Sequence, residues 1–165
     1  MSEEQKQQEK RKPGWVPLIV LMAVTLGCGA LIGFLIRNDM AFYNSLARPF
    51  FAPPGWVFPV AWSVLYIAMA LSAWLVWRAE APHRAGLLTL YFTQLAVNLA
   101  WPVIFFTLRA LGLAFWWLIL LWGLVLWMMV AFFRWSKAAG WLLTPYLAWT
   151  TFAAVLSFII ARLNP

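Results

Sequence analysis

The sequence predicts an all-α membrane protein, a bundle of five transmembrane helices with a long ordered loop between helices 1 and 2. Of its 165 residues, 65% are hydrophobic and only 10% are Asp, Glu, Lys or Arg, whereas a soluble domain carries about 25% of these charged types. The charged residues also leave five uncharged stretches of about 24 residues or more. A helix needs about 20 residues to cross a bilayer core, so each stretch is long enough to span one.

The predicted helices fall within these stretches, at residues 17–36, 60–77, 85–108, 112–133 and 138–161. Lipid offers no hydrogen-bond partner to a peptide group, so a spanning segment must satisfy its backbone internally. The apolar runs also lack the alternation of a membrane strand, which favours helices. Pro145 lies early in the last helix, and we expect it to kink that helix or to mark a late start.

The segments outside the helices differ in character. Residues 1–12 have no apolar face and are predicted to be a disordered polar tail, which leaves residues 13–165 as one transmembrane domain. The loop at residues 37–58 contains Pro49, Pro53 and Pro54 and six aromatic residues. We expect it to form a packed lid that ends in a helix start at Pro59, because proline is tolerated in the first turn of a helix.

The positions of the charges indicate membrane anchoring. The chain carries a formal charge of +7, from 12 basic and 5 acidic residues. These residues lie at the ends of the spans, so the sequence provides no cationic face for a nucleic acid. Eight basic residues fall on the side of the N-terminus and four on the other, which favours a cytoplasmic N-terminus, although four of the eight lie in the tail.

No Asp, Glu, Lys, Arg or His lies within the five predicted spans, and the only histidine, His83, is in a short loop. Ionisable residues at bilayer depth mark proton relays and ion paths, so those functions are disfavoured. Cys28 alone makes no metal site, and no metal is expected. The remaining possibility is recognition by shape and by aromatic stacking.

Three of the 13 tryptophans, Trp62, Trp101 and Trp149, lie in or near span interiors, where an indole N–H needs a partner. Gln94 and Asn98 share a helix face with Trp101, and a polar face in a bilayer must point at protein or at a cavity. Ligand contact is one interpretation of these residues. Helix packing is the alternative for each tryptophan, and bonding between helices is the alternative for Asn98.

Small and aromatic residues add two further features. Tyr66 lies one turn after Trp62, and Ala153 lies one turn after Trp149, where its small side chain leaves room. Gly29 and Gly33 form a G-x-x-x-G pattern that lets another helix approach closely, either within the chain or across a dimer.

Several segments together resemble the TspO/MBR family, the translocator proteins also called tryptophan-rich sensory proteins or peripheral-type benzodiazepine receptors. Residues 48–58 read RPFFAPPGWVF and continue through Trp62 to Tyr66. Residues 93–102 read TQLAVNLAWP, residues 145–149 read PYLAW, and YNSL at 43–46 also fits the loop. The resemblance covers all but the N-terminal tail.

The resemblance implies a five-helix bundle, commonly a homodimer, whose first long loop covers a pocket for porphyrins, sterols and benzodiazepine-type drugs. Carried over by position, Trp62 and Trp149 flank the ligand, Asn98 lies in the polar part of the pocket, and Ala153 contacts the bound molecule. Two residues depart from the family pattern, Phe51 where a Trp is usual and Phe158 where animal members have a Tyr of a cholesterol-recognition pattern. Cholesterol binding by that pattern is therefore not expected.

The function expected from these features is that of an integral membrane receptor or sensor for tetrapyrroles and other flat lipophilic molecules. The candidate ligand-binding residues are Trp56, Trp62, Tyr66, Asn98, Trp101, Trp149 and Ala153. Arg37 and Arg48 at the loop mouth could pair with propionates. No cofactor is required, and a tetrapyrrole would be bound as ligand without an axial histidine.

Two other functions remain open. One is light-dependent porphyrin degradation, in which Trp62 and Trp149 would take the redox roles and no firm catalytic residue is otherwise assigned. The other is transport of porphyrins or sterols, although the lack of charges in the spans disfavours ion-coupled transport. We expect a bacterial cell membrane as the location, or the mitochondrial outer membrane if the source is eukaryotic.

Overall fold

The computed structural model describes residues 14–79 and 83–165, so the prediction of a disordered tail at residues 1–12 lies outside it. The described residues form six α-helices and no strand. They are α1 (Val16–Leu35), α2 (Met40–Ser45), α3 (Val57–Arg78), α4 (Arg84–Pro102), α5 (Leu111–Phe133) and α6 (Lys137–Leu163). A 3-10 turn at Arg37–Asp39 precedes α2, and a π-helical turn at Val103–Thr107 extends α4.

Every helix except the short α2 is long and apolar enough to cross a membrane. The chain is therefore a multi-pass integral membrane protein with the predicted five spans. Neighbouring helices follow the ring order α1, α3, α6, α5, α4, and α4 closes the ring against α1. Of the α1 residues, only Leu21 and Thr25 are buried, so this helix lies at the edge of the bundle.

The interior of the bundle is packed by residues spaced three and four apart. On α5 the fully buried stripe consists of Ala114, Leu118, Leu121, Val125, Met128 and Phe132. This spacing places the side chains on one helix face, which turns towards the other helices. On α6, Gly140 lies against the Phe133 ring, where a β-carbon would overlap the ring, so this glycine permits close approach of α5 and α6.

One helix start differs from the prediction, and one of the two alternatives for Pro145 is excluded. The second span begins at Val57, two residues before the expected start at Pro59, which is tolerated because N–H groups in the first turn have no helical partner. The last span runs from Lys137 through Pro145 to Leu163, close to the predicted 138–161, so of the two alternatives for Pro145 the late helix start is wrong. Ser136 explains the start at Lys137, since its hydroxyl accepts a hydrogen bond from the Ala139 N–H at 3.2 Å.

The third span changes its winding at Pro102. This residue has no N–H to donate, and its ring crowds the preceding turn of an α-helix. The helix continues beyond it as a π-helical turn, in which the Leu108 N–H donates to the Val103 carbonyl at 2.9 Å. The wider turn places Phe105 and Phe106 in the bundle interior.

Residues 37–56, called the lid from here on, are packed less completely than predicted. Tyr43 is buried, and its ring meets the Phe58 ring edge-on with centroids 5.2 Å apart. Phe50, Phe51 and Trp56 are instead 101%, 39% and 68% exposed, so the prediction of a fully packed aromatic lid is wrong for these three. The prolines remove backbone donors, and the backbone around them forms local turns, Ala52 N–H to Pro49 and Val57 N–H to Pro54.

Gly29 and Gly27 on α1 provide a matched test of this packing. A β-carbon at Gly29 would overlap the Tyr66 ring of α3, whereas a β-carbon at Gly27 would meet nothing within 4 Å. We expect Gly29→Ala to lower the free energy of unfolding by about 1 to 3 kcal/mol through overpacking. Gly27→Ala should be neutral or stabilising by up to about 1 kcal/mol, because Ala favours helix. Thermal unfolding in detergent compares the two, and equal midpoints would contradict the close approach of α1 and α3.

Candidate ligand-binding cavity

A cavity of about 820 Å³ lies beneath the lid, between α1, α3 and the end of α4. Its aromatic lining consists of Trp56, Phe58, Trp62, Tyr66, Trp101 and Phe106. The second half of α1 supplies a wall of small and aliphatic residues that includes Gly29, Ala30 and Gly33. Because these residues belong to the lid-side ends of the three helices, the cavity occupies the lid-side half of the bundle.

The small residues of α1 determine how closely this wall of the cavity approaches α3. Gly29 is in contact with the Tyr66 ring, so the G-x-x-x-G pattern has a partner within the chain at that position. No atom lies within 4 Å of a β-carbon built at Gly33, which faces the open cavity. Gly29 therefore lets α1 approach α3 closely at one end of the cavity, and Gly33 leaves the cavity open at the other.

Arg37 is the one cation that lines the cavity in the part of the chain that the structure describes. Its guanidinium carbon lies 3.7 Å from the centroid of the Phe34 ring, and its Nη1 donates to the Phe34 carbonyl at 3.2 Å. No carboxylate forms an ion pair with it within residues 14–79 and 83–165. The side chain is exposed at the mouth, so it can meet an anionic group of a ligand whose apolar body lies deeper.

Tyr66 connects the cavity wall to a chain of buried polar groups. Its hydroxyl donates to Asn98 Oδ1 at 3.0 Å, and Asn98 Nδ2 donates to the Tyr146 hydroxyl. The Tyr146 hydroxyl in turn donates to Gln94 Oε1 at 2.9 Å. All four side chains are buried, and the chain links α3, α4 and α6. Of the two alternatives for Asn98, bonding between helices is the one that these contacts show.

Trp62 and Trp149 meet at the side of the cavity. Their ring centroids are 6.4 Å apart and the planes are nearly perpendicular, at 88°. Trp149 also contacts Phe58, with centroids 6.2 Å apart, and it does not line the cavity itself. Its buried indole N–H has no hydrogen-bond partner. An indole in this position is one ring away from any molecule that contacts Trp62.

A second, much smaller cavity of about 10 Å³ lies next to the large one, and Phe58, Trp101 and Phe106 line both. Ala153 and Ser157 border it from α6. The Trp101 Nε1 and Ser157 Oγ atoms are buried without a partner. The volume is close to the lower limit for one water molecule, which needs about 10 to 15 Å³.

The structure thus brings only some of the candidate residues predicted from the sequence together around the large cavity. Trp56, Trp62, Tyr66, Trp101 and Arg37 line the large cavity. Asn98 and Trp149 lie one side chain behind it, and Ala153 borders the small cavity. Arg48 lines a hollow of about 480 Å³ in the lid, and its guanidinium carbon is 4.6 Å from the Tyr43 ring centroid. The ligand roles of these residues stay predictions.

Other residues of the cavity were not foreseen. Met40 and Asn44 on α2 line it, as does Ser63 on α3. Their positions depend on the helix within the lid, which the sequence pattern did not predict. Asn44 could have been noted as a polar residue in an aromatic loop, whereas Met40 carries no chemical signal.

Tyr43 helps to hold the lid over this cavity. Its hydroxyl donates to the Pro53 carbonyl at 3.0 Å. Burial raises the pKa of the Tyr43 phenol, and the nearby charge of Arg48 lowers it by a smaller amount. The phenol is therefore protonated at neutral pH and remains a donor to Pro53.

Comparison of the sequence with known protein families shows which family the chain belongs to. The model of the TspO/MBR family matches residues 11–163, nearly the whole chain. The chain belongs to the TspO/MBR family. The resemblance of its sequence motifs to that family is thereby confirmed.

Relatives in the family span bacteria and animals. The chain is 39% identical over 150 residues to protein CrtK of Rhodobacter capsulatus, which covers 90% of this chain and 93% of the relative. It is 37% identical over 150 residues to the tryptophan-rich sensory protein of Cereibacter sphaeroides, covering 91% and 92%. It is 38% identical over 156 residues to the human translocator protein, covering 92% of each.

Asn98 tests whether the buried polar chain holds the helices together. We expect Asn98→Leu to lower the free energy of unfolding by about 1 to 3 kcal/mol, since the Tyr66 hydroxyl loses its acceptor in an apolar interior. Thr89→Ala is the control on the same helix, because the exposed Thr89 hydroxyl bonds only to the Ala85 carbonyl of its own helix. Thermal unfolding in detergent is the measurement. A midpoint for Asn98→Leu equal to that of the control would refute the structural role.

Proposed function

We propose that this TspO/MBR family protein is a membrane receptor or sensor that binds tetrapyrroles and other flat lipophilic molecules. The observation that carries the proposal is the cavity of about 820 Å³ with Trp62, Tyr66 and Trp101 in its walls. Small-molecule sites are typically about 300 to 1,000 Å³, apolar and aromatic, with a few polar groups that orient the ligand. The cavity matches that description in size and in lining.

The lining suits a flat aromatic molecule. Ring faces and edges prefer offset or perpendicular contacts with centroids about 4.5 to 7 Å apart. Trp62 and Tyr66 already have their centroids 5.7 Å apart at an angle of 30°, and they form one aromatic wall. A planar ligand could extend this stack across the cavity without proton transfer or metal ligation.

Arg37 supports an acidic ligand in particular. It lies at the mouth, stacked on Phe34, and its remaining guanidinium N–H groups are available for an anion. Charge-assisted hydrogen bonds from arginine to carboxylate are among the stronger polar contacts in proteins. A tetrapyrrole with propionate groups combines the flat apolar body and the carboxylate that this arrangement would accept.

The role of Arg37 is tested by comparing an acid with its ester. We expect Arg37→Gln to weaken protoporphyrin IX binding about tenfold, a loss of about 1.4 kcal/mol, because a carboxylate contact is removed. The affinity for protoporphyrin dimethyl ester should not change. Binding is measured in the dark by quenching of tryptophan fluorescence in detergent-purified protein.

Arg162→Gln is the matched control, since Arg162 stacks on Phe158 and does not line the cavity. Absence of saturable quenching in the wild-type protein would refute the proposed function. Equal losses for the acid and the ester would instead show that Arg37 acts by supporting the fold of the mouth.

A second function, light-dependent porphyrin degradation, is supported by one specific observation. Trp62 lines the cavity, and its edge-to-face contact leads directly to Trp149. With dissolved dioxygen as the oxidant, the excited pigment would lose electrons and be broken down while dioxygen is reduced, and the two indoles in contact would relay the electrons. No side-chain acid or base would be required. The proposal assigns the redox roles to these two residues and no metal to the site.

The second function is separated from simple binding by Trp149→Phe. This variant keeps an aromatic ring against Phe58 and Trp62 but removes the indole. We expect unchanged protoporphyrin affinity in the dark and loss of the light-dependent decay of the Soret band. Trp127→Phe, on the exposed face of α5, is the control. Decay at the wild-type rate in Trp149→Phe would rule out this mechanism.

Two further predictions accompany the proposal. A homodimer is expected from the family resemblance, and α1 offers an exposed Gly27 where a second helix could approach. The side of the membrane is expected from the basic residues, with the N-terminus in the cytoplasm and the lid on the opposite face.

A further inference from the structure

The second half of the lid is tied to the helical bundle by one side chain. The Ala47 N–H donates to Asn164 Oδ1 at 3.0 Å, and Asn164 Nδ2 donates to the Ala47 carbonyl at 3.0 Å. The same Nδ2 also donates to the Ile160 carbonyl at 2.9 Å. One amide at the C-terminal end of α6 therefore pairs with both backbone groups of a lid residue that is 117 positions away.

Other polar contacts of the lid lie elsewhere. Thr107 donates to Asp39 Oδ2 at 2.8 Å and ties the start of the lid to the end of α4. The Tyr43 hydroxyl donates to Pro53, which joins two parts of the lid to each other. Within residues 14–79 and 83–165, Asn164 makes the only hydrogen bonds from lid residues 46–56 to a distant part of the chain.

The paired segment lies next to the cavity. Asn44, three residues before Ala47, and Gly55 line both the large cavity and the outer hollow of the lid. The prolines between Ala47 and Gly55 reduce the backbone donors of this segment, so it cannot bond to the bundle as a strand or helix would. Movement of Ala47 away from α6 would therefore move the part of the lid that separates the cavity from the outside.

We propose that Asn164 is the latch of the lid, a positioning residue whose amide holds Ala47 and thereby sets how fast a ligand leaves the cavity. The inference about ligand release rests on the proposed function, whereas the latch itself does not. The bond from Asn164 Nδ2 to the Ile160 carbonyl orients the side-chain amide towards Ala47. Exposed hydrogen bonds contribute modestly, so the latch opens often enough to let a ligand pass.

The test uses the full-length protein in detergent and two substitutions at one position. Asn164→Ala removes all three side-chain bonds. Asn164→Asp keeps an acceptor for the Ala47 N–H and loses the donors to Ala47 and Ile160. Ser45→Ala is the control, because the exposed Ser45 hydroxyl bonds only to Phe42 within the lid. Thermal midpoints show whether the variants are folded. If Asn164→Ala does not fold, the exchange and dissociation rates of Asn164→Asp decide whether Asn164 holds the lid.

The first readout is hydrogen exchange of the Ala47 amide, which needs no ligand. We expect about tenfold faster exchange in Asn164→Ala, a smaller increase in Asn164→Asp, and the wild-type rate in Ser45→Ala. Wild-type exchange in both Asn164 variants would overturn the latch.

The second readout is dissociation of protoporphyrin IX, followed by recovery of tryptophan fluorescence after dilution. We expect dissociation to be about tenfold faster in Asn164→Ala, with no change in Ser45→Ala. Faster amide exchange with unchanged dissociation would overturn the role in ligand release. Failure of the wild-type protein to bind protoporphyrin would refute the proposed function and the release step, while amide exchange would still decide whether Asn164 holds the lid.

Discussion

The structure depends on one constraint, that polar groups at bilayer depth must find partners inside the protein. The chain from Tyr66 through Asn98 and Tyr146 to Gln94 meets this requirement except at Gln94 Nε2, and it joins α3, α4 and α6. The other buried side-chain atoms without a partner among the described residues are Trp74 Nε1, Trp101 Nε1, Trp149 Nε1 and Ser157 Oγ. A hydrogen bond between Thr25 and Tyr91 attaches α1 to α4, and Ser72 donates to the Ala139 carbonyl between α3 and α6. Without water as a competing partner, an unpaired group would be costly. These bonds therefore select one arrangement of helices whose lipid-facing surfaces are otherwise chemically alike.

The cavity follows from this arrangement and from the residues that cannot fill it. Tyr66 is drawn towards Asn98 by its hydrogen bond, and Gly29 leaves space for its ring. Gly33 then leaves the adjacent wall open, and Pro102 widens α4 where the cavity ends. The lid covers the space with few regular hydrogen bonds, since its prolines lack donors. A rigid floor and a lightly attached cover are the properties expected of a site that must admit a bulky ligand.

The placement of charge limits what this site can do. Arg37 lies at the mouth, and apart from Asn44 and Ser63 the other lining residues are apolar or aromatic. Recognition of the proposed ligand would then combine stacking in the cavity with one ionic contact at its edge. The same separation appears at Trp62 and Trp149, whose contact extends the aromatic wall away from the cavity. Ligand binding and light-dependent porphyrin degradation would both use this aromatic wall. Only degradation would require electron transfer between Trp62 and Trp149.

The sequence alone determined the five spans, the long first loop and the family, because hydrophobic length, proline placement and local motifs are properties of neighbouring residues. It also identified most of the cavity aromatics, since an indole or phenol inside a span is conspicuous. It did not determine that Asn98 would bond to Tyr66 and Tyr146, that Ala153 would border a separate small cavity, or that Asn164 would hold Ala47. Each of these depends on how helices distant in the chain are rotated and spaced. Only the tertiary structure decides that, because a helix with apolar residues on all sides does not reveal from its sequence which face turns inward.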